Sequence, residues 1–344
     1  MAATIKDVAQ RAGVSIATVS HVQNKTRFVS VELTARVNEA IRELAYYPNL
    51  LVGSLRGKKT HTVGLVLPSI SNETFGLLAE TIQKMLFKLG YNLIICNTSY
   101  DPAIEWEAYN TLLMKKADAI IAIPTSREPD KLAEIKRRRI PIVLIDRVIP
   151  GLTADTVRVD NVKGTHDAIA HLIGLGHTAI GYIDRKIDHS HSLEQKAGYR
   201  KALEEHGIAF EKENLVRADG FDYHSGLVAV KVLLAHRPRL TAVFAYYDIT
   251  AMGAMRGILD LGLRIPEDVS VVGCDGMPFT IASSPRLTTI EFPVHKIAKS
   301  TCDLLMRRLE ETDGMDGPET DIVITPRLTV RDSTARLKEK GDRT

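Results

Sequence analysis

The sequence predicts an α/β protein: an N-terminal helix-turn-helix head, followed by a doubly wound α/β body in two lobes. Three observations lead there. Between Thr4 and His21 two short apolar stripes at helical spacing flank Gly13. From Thr62 onward, short β-rich runs alternate with amphipathic stretches, the pattern of parallel strands covered by helices. Residues 1–60 hold nine Lys or Arg against four Asp or Glu, a surplus of five, whereas all 344 residues together carry +3. The body is therefore slightly acidic and the head basic.

Thr4 is placed to cap a first helix, with Asp7 three residues on, and Ile5, Val8, Ala9 and Ala12 form its apolar stripe. Gly13 permits the turn, and Ser15 caps the second helix. There Val19 and Val22 point inward, while Ala17, Thr18 and His21 fall on the opposite face. A third helix follows from Ser30 with Leu33, Val37, Ile41 and Leu44 on its inner side, and Pro48 ends it. Helical periodicity alone fits a ligand-free helical cap equally well. The local positive charge favours a phosphate-binding module, since each neutralised phosphate releases counterions.

A chain with 44 % hydrophobic residues buries a sizeable core and makes two or three domains. No apolar run approaches the ~18 to 20 residues of a membrane span, and no hydrophobic signal segment precedes Thr4, so the expectation is a cytoplasmic protein without a membrane partner. Cys96, Cys274 and Cys302 have neither zinc-site spacing nor an even disulfide framework, and read as buried thiols.

Strands are expected at Val63–Leu67, Asn92–Cys96, Ala119–Ile123, Ile142–Ile145, Ala179–Ile183, Ala242–Ala245 and Val269–Cys274. Their nearly continuous apolar runs suit strands buried on both faces. Helical stripes lie at 77–89, 105–116, 161–175, 193–205 and 247–261. Two βα sets in series give two lobes with a cleft between them. Ligands of open α/β sheets bind beyond the carboxyl ends of strands, and Asp275 follows such a strand. It is there either to accept bonds from vicinal hydroxyls or to cap the residues that follow.

Two stretches carry a family resemblance. One is Thr18-Val19-Ser20-His21 with Asn24-Lys25-Thr26-Arg27-Phe28-Val29, and the other runs from Ala242-Val243-Phe244 through Gly262-Leu263-Arg264-Ile265-Pro266-Glu267-Asp268-Val269 to Asp275. Both resemble the LacI/GalR family of bacterial transcription regulators, the head lying nearest to its purine-responsive members. The resemblance implies a homodimer on double-stranded operator DNA and a periplasmic-binding-protein-like body that takes a small-molecule effector. It implies a head at 1–47, a hinge helix and linker at 48–60, and an effector-binding and dimerisation domain at 61–344. The first lobe would span about 61–160 plus 294–322, the second about 161–291 plus 323–335.

The DNA-facing set would be Thr4, Ser15, Ala17, Thr18, Ser20, His21, Asn24, Arg27, Leu55 and Arg56. Thr18 and His21 would read bases in the major groove and Arg27 a guanine from the following loop. Ala17 stands where the purine-responsive members carry a hydroxyl. The nine residues Pro48 to Arg56 are too few to hold a helix alone in water. In the family this hinge orders over the operator, and Leu55 would wedge into the minor groove at an easily opened central step.

The effector-facing set would be Ser69, Asn72, Thr74, Phe75, Asp146, Arg147, His189, His191, Phe221, Tyr247 and Asp275. Of the two aromatic walls that hold a purine in the family, Phe221 is kept and Thr74 stands in place of the other. Asp146 beside Arg147 resembles sugar-responsive members, where bidentate bonds recognise hydroxyls. A sugar or sugar derivative is the expected effector, a purine-like corepressor the second reading.

Other chemistry is weaker. Asp188-His189-Ser190-His191 has the makings of a metal site but no third distant ligand, so no metal or cofactor is expected. Gly174, Gly176 and Gly181 lack dinucleotide-fingerprint spacing and read as a helix end, and Lys136-Arg137-Arg138-Arg139 suits a helix C-terminus. No nucleophile stands with a base, which argues against an enzyme. A transport binding protein of the same body fold should carry an export signal.

Overall fold

A computed structural model of the chain describes residues 3–24, 27–46, 59–126, 128–185, 190–311 and 317–338. It divides into two compact units, residues 1–60 and 61–344.

In the first unit, α1 (Ile5–Ala12), α2 (Ile16–Asn24) and α3 (Val31–Glu43) enclose a core of Val8, Ala9, Ala12, Val19, Val37 and Ala40. Thr4 and Asp7 form a reciprocal capping box at α1, and Gly13 ends it with φ of 63°. That left-handed turn suits glycine, and an added Cβ would also collide with the Arg36 guanidinium, which donates to the Ala12 carbonyl at 2.6 Å. The third helix stops at Glu43 rather than at Pro48, because Leu44 caps it and Ala45 takes a left-handed φ of 44°.

The second unit holds two six-stranded sheets. The first has the order β11-β5-β4-β3-β1-β2 and is wholly parallel. Its strands are β1 (Thr62–Leu67), β2 (Asn92–Asn97), β3 (Ala119–Ala122), β4 (Ile142–Ile145), β5 (Asp155–Val159) and β11 (Asp321–Ile324). The second has the order β12-β10-β9-β8-β6-β7, with β12 antiparallel to β10. It is built from β6 (Ile180–Arg185), β7 (Leu215–Ala218), β8 (Ala242–Ala245), β9 (Ser270–Asp275), β10 (Thr288–Glu291) and β12 (Arg327–Thr329). The covering helices are α4 (Glu73–Lys88), α5 (Pro102–Met114), α6 (Pro129–Arg137), α7 (Asn161–Gly174), α8 (Ser190–Glu205), α9 (Tyr223–His236), α10 (Asp248–Asp260) and α11 (Val294–Glu310).

The chain passes between the sheets three times, after β5, after β10 and between β11 and β12. The last passage falls after Ile324 rather than near 322, because Asp321 joins the first sheet: its carboxylate accepts a bond from Thr156 at 2.6 Å and a bidentate pair from Arg158. Apolar clusters cover both faces of the first sheet, and a third fills the second.

Five strands, β5, β7, β10, β11 and β12, lie outside the seven expected from apolar runs. Each is short, and β5 carries Asp155 and Arg158, whose partners come from the distant Arg308 and Asp321. α9 also lies outside the expected helical stripes. It packs so tightly on α10 that a Cβ at Gly226 would overlap the Thr250 carbonyl, so its apolar residues are not confined to one stripe. Gly181 lies inside β6 rather than at a helix end. Cys274 and Cys302 are buried, whereas Cys96 is only half-buried on β2.

Candidate functional site

The head and the body each present a site. On the head, the Ser15 hydroxyl accepts the Thr18 amide at 3.1 Å and shares a hydrogen bond with the Thr18 hydroxyl at 2.9 Å. Thr4 is likewise occupied by its capping box, donating both its amide and its hydroxyl to Asp7 at 2.7 Å. Both hydroxyls thus fix the starts of α1 and α2. Ala17 is exposed, Thr18, Ser20 and His21 are half-exposed along α2, and Arg27 is exposed just beyond it. The side chain of Asn24, and Leu55 and Arg56 with the rest of residues 48–58 of the expected hinge, lie outside the described residues.

In the body, loops from the carboxyl ends of both sheets meet. Asn72, Thr74, Phe75, Asp146, His191, Tyr247 and Asp275 line one narrow pocket, together with Phe292. Asn72 also caps α4, accepting from the Phe75 amide at 3.2 Å. Asp146 follows β4 with a left-handed φ of 53° and is the hinge point of the polar network. Its carboxylate accepts bonds from His191 Nδ1 at 2.9 Å, Arg147 Nη1 at 3.1 Å and Asn161 Nδ2 at 3.3 Å. Burial opposes its ionisation, but the His191, Arg147 and Asn161 contacts outweigh that and hold the carboxyl at about 2. His191 is depressed by burial against the pull of Asp146. The ring is therefore neutral at pH 7, with its Nδ1 proton on Asp146 and Nε2 left as an acceptor that has no partner among the described residues.

Asp275 ends β9 with φ of 122°, a strained conformation for a residue with a side chain. Burial, then the charges of Asp248 and Asp146, push its carboxyl well above the usual range, against Thr74 and Arg185. It does not cap the turn that follows: the short helix Pro278–Ile281 starts at Met277 without a side-chain cap. That turn hangs instead on Asp248, which accepts the Met277 amide at 2.8 Å and the Thr289 hydroxyl at 2.5 Å. Burial raises Asp248 to about 6. Gly273 makes room for it, since a Cβ there would stand 2.3 Å from Asp248 Oδ1.

Other side chains complete the surroundings of this pocket. Arg147 is buried and bonded to Asp146, and Gln195 is buried against the Tyr246 carbonyl at 3.4 Å. Ser69 is half-buried before α4, outside the pocket lining, and His189 falls outside the described residues. Phe221 stacks on Tyr100, from the loop after β2, with ring centres 4.8 Å apart and planes 6° apart. A base clamped between two rings needs about 7 to 8 Å, twice a carbon contact distance. At 4.8 Å the Tyr100 and Phe221 rings leave no such gap between them. Tyr100, Arg185 and Phe292 were absent from the sequence-derived set. Tyr100 sits at an irregular left-handed position with φ of 60°, Arg185 reads as the tail of a strand, and Phe292 as the start of a crossing. The contacts Asp146–His191, Asp146–Asn161, Tyr100–Phe221 and Thr74–Met277 each join residues of the first lobe to the second.

Among the described residues, no group of three His, Cys, Asp or Glu side chains is disposed to hold a metal ion, and no helix is long and apolar enough to cross a membrane. The sequence profile of bacterial regulatory proteins of the lacI family matches residues 4–49, and that of the periplasmic binding protein-like domain matches residues 169–334. The chain is 35 % identical over 340 residues to the HTH-type transcriptional regulator DegA of Bacillus subtilis, covering 98 % of this chain and 99 % of that protein. It is 33 % identical to the ribose operon repressor of Escherichia coli K12 over 90 % of this chain and 94 % of that one. The solved complex of the transcriptional regulator CelR with cellobiose superposes with a TM-score of 0.71 at 28 % identity, covering 96 % of this chain and 99 % of CelR. A helix-turn-helix head, two doubly wound lobes and near full-length relatives place this chain in the lacI family of bacterial transcription regulators.

Proposed function

We propose that the chain is a transcriptional repressor that binds a palindromic operator as a homodimer and is controlled by a sugar or sugar derivative held between its lobes. The DNA-facing set on α2 and in the loop after it reads the half-sites, and residues 48–60 serve as the hinge. The observation that carries the effector reading is the convergence of Asp146, Arg147, His191 and Asp275, which offers donors and acceptors suited to several hydroxyls. The ribose operon repressor and the cellobiose complex of CelR support a sugar. The contact between the Tyr100 and Phe221 rings argues against a clamped purine.

Effector and operator each bias the other's affinity, by a coupling of typically ~1 to 3 kcal/mol. Fluorescence anisotropy tests this with a labelled palindrome and a scrambled duplex across a salt series, with ribose, cellobiose and a purine base added in turn. The expected result is selective binding of the palindrome, a steep salt slope and an affinity that a sugar changes at least fivefold. Equal affinity for both duplexes would overturn the regulator reading, and a response to the purine alone would overturn the sugar.

A further inference from the structure

Arg185 closes β6 at its carboxyl end, and β6 stands where the order of the second sheet turns, with β7 on one side and β8 on the other. The crevice outside such a turning point is where open α/β sheets bind ligands. The Arg185 side chain is 1 % exposed. Its Nη1 donates to the Tyr247 hydroxyl at 3.2 Å, and the guanidinium carbon lies 5.6 Å from the centre of that ring, which lines the pocket. Among the described residues, Nε and Nη2 have no hydrogen-bond partner. Those two nitrogens form one edge of the guanidinium, the fork whose parallel N–H bonds grip two oxygens of a carboxylate or phosphate.

The fork has no carboxylate of the described chain on it. Neighbouring Asp184 is paired with Lys196 at 3.0 Å, and Asp146 is shared by His191, Arg147 and Asn161. The guanidinium stands against Tyr247, a residue of the pocket lining, and so lies beside that pocket. Arg147 Nε is a further buried donor without a partner among the described residues. A guanidinium removed from water without a counter-ion is costly, and a bound anion is what offsets that cost.

We infer that Arg185 receives an acidic group of the effector, so that a polyhydroxylated carboxylate or phosphate ester is held more tightly than the neutral sugar. The inference rests on the sugar reading above and narrows it. Arg185 takes the oxyanion, while the unpartnered His191 Nε2 and the Asp275 carboxyl remain for hydroxyls.

The test uses the full chain and matched pairs: D-gluconate against D-glucose, D-galacturonate against D-galactose, and D-ribose 5-phosphate against D-ribose, by calorimetry and thermal shift. At least one acid is expected to bind tenfold or more tightly than its neutral parent, and the arm that responds tells carboxylate from phosphate. Arg185→Lys keeps the charge without the fork, and Arg185→Gln removes both. Each should weaken the acid at least tenfold and leave the neutral parent within twofold, while ligand-free Arg185→Gln melts no lower than wild type. Equal binding of acid and parent, or an equal loss of both in Arg185→Gln, overturns the inference and leaves the sugar reading standing. Silence of every acid arm also overturns it, and silence of the neutral sugars as well removes the sugar reading too. A ligand-free Arg185→Gln that melts well below wild type makes the residue a structural cation and counts against the inference.

Discussion

Replacing Asp146 with asparagine tests the polar network at its centre. Asp146 is 6 % exposed and Arg147 5 %, so the substitution strips the counter-charge from a buried guanidinium and weakens the His191 bond across the cleft. Breaking one side of a buried, hydrogen-bonded pair costs about 3 to 5 kcal/mol. For a body of this size that corresponds to a fall in melting temperature of roughly 6 to 20 °C. The sign with pH follows from the depressed carboxyl. Its stabilisation is complete above the unfolded value near 3.8 and is lost as pH falls through the folded value of about 2. Urea unfolding followed by circular dichroism should thus show a large deficit for Asp146→Asn at pH 7 that shrinks toward pH 2. A deficit under about 1 kcal/mol at pH 7, or one unchanged in acid, would refute the network as described.

Three further outcomes are expected. His21→Ala and Arg27→Ala should each lower operator affinity by about 1 to 3 kcal/mol and relax preference at one base pair, read by anisotropy against single-base operator variants. Asp248 is raised to about 6, so its ionisation destabilises the fold: its contribution is best in acid and declines as pH rises from 3.8 through 6. The stability of wild type relative to Asp248→Asn should accordingly improve by about 1 kcal/mol between pH 7 and pH 5, measured by paired urea titrations. Arg308→Ala should cost about 3 to 5 kcal/mol in the same assay, because it strands Asp155, which holds Arg308 in a bidentate pair at 2.7 and 3.0 Å and also accepts the Thr320 amide.

What could be read in the residues depended on how local the cause was. The head was legible because each cap lies three residues from its partner: Thr4 with Asp7, Ser15 with Thr18 and Ser30 with Leu33. The central strands were legible because burial on both faces makes them uniformly apolar. β5 was hidden because its charges are neutralised by residues some 150 positions later, a pairing no local window contains. Asp146, His191 and Asp275 stood out as polar residues after strands, while Arg185 did not, since only the folded sheet brings it beside Tyr247. The Tyr100–Phe221 contact depends on two loops of different lobes meeting, which spacing along the chain cannot encode.

The three passages between sheets bear on how the molecule is made. Both sheets are finished by strands drawn from one short stretch, β11 at Asp321–Ile324 and β12 at Arg327–Thr329. During synthesis the head can fold while the ribosome is still translating, whereas both lobes must wait with an open sheet edge until nearly the whole body has emerged. A nonsense mutation near codon 320 therefore damages both lobes together instead of sparing one, and leaves a DNA-reading head joined to an aggregation-prone remainder.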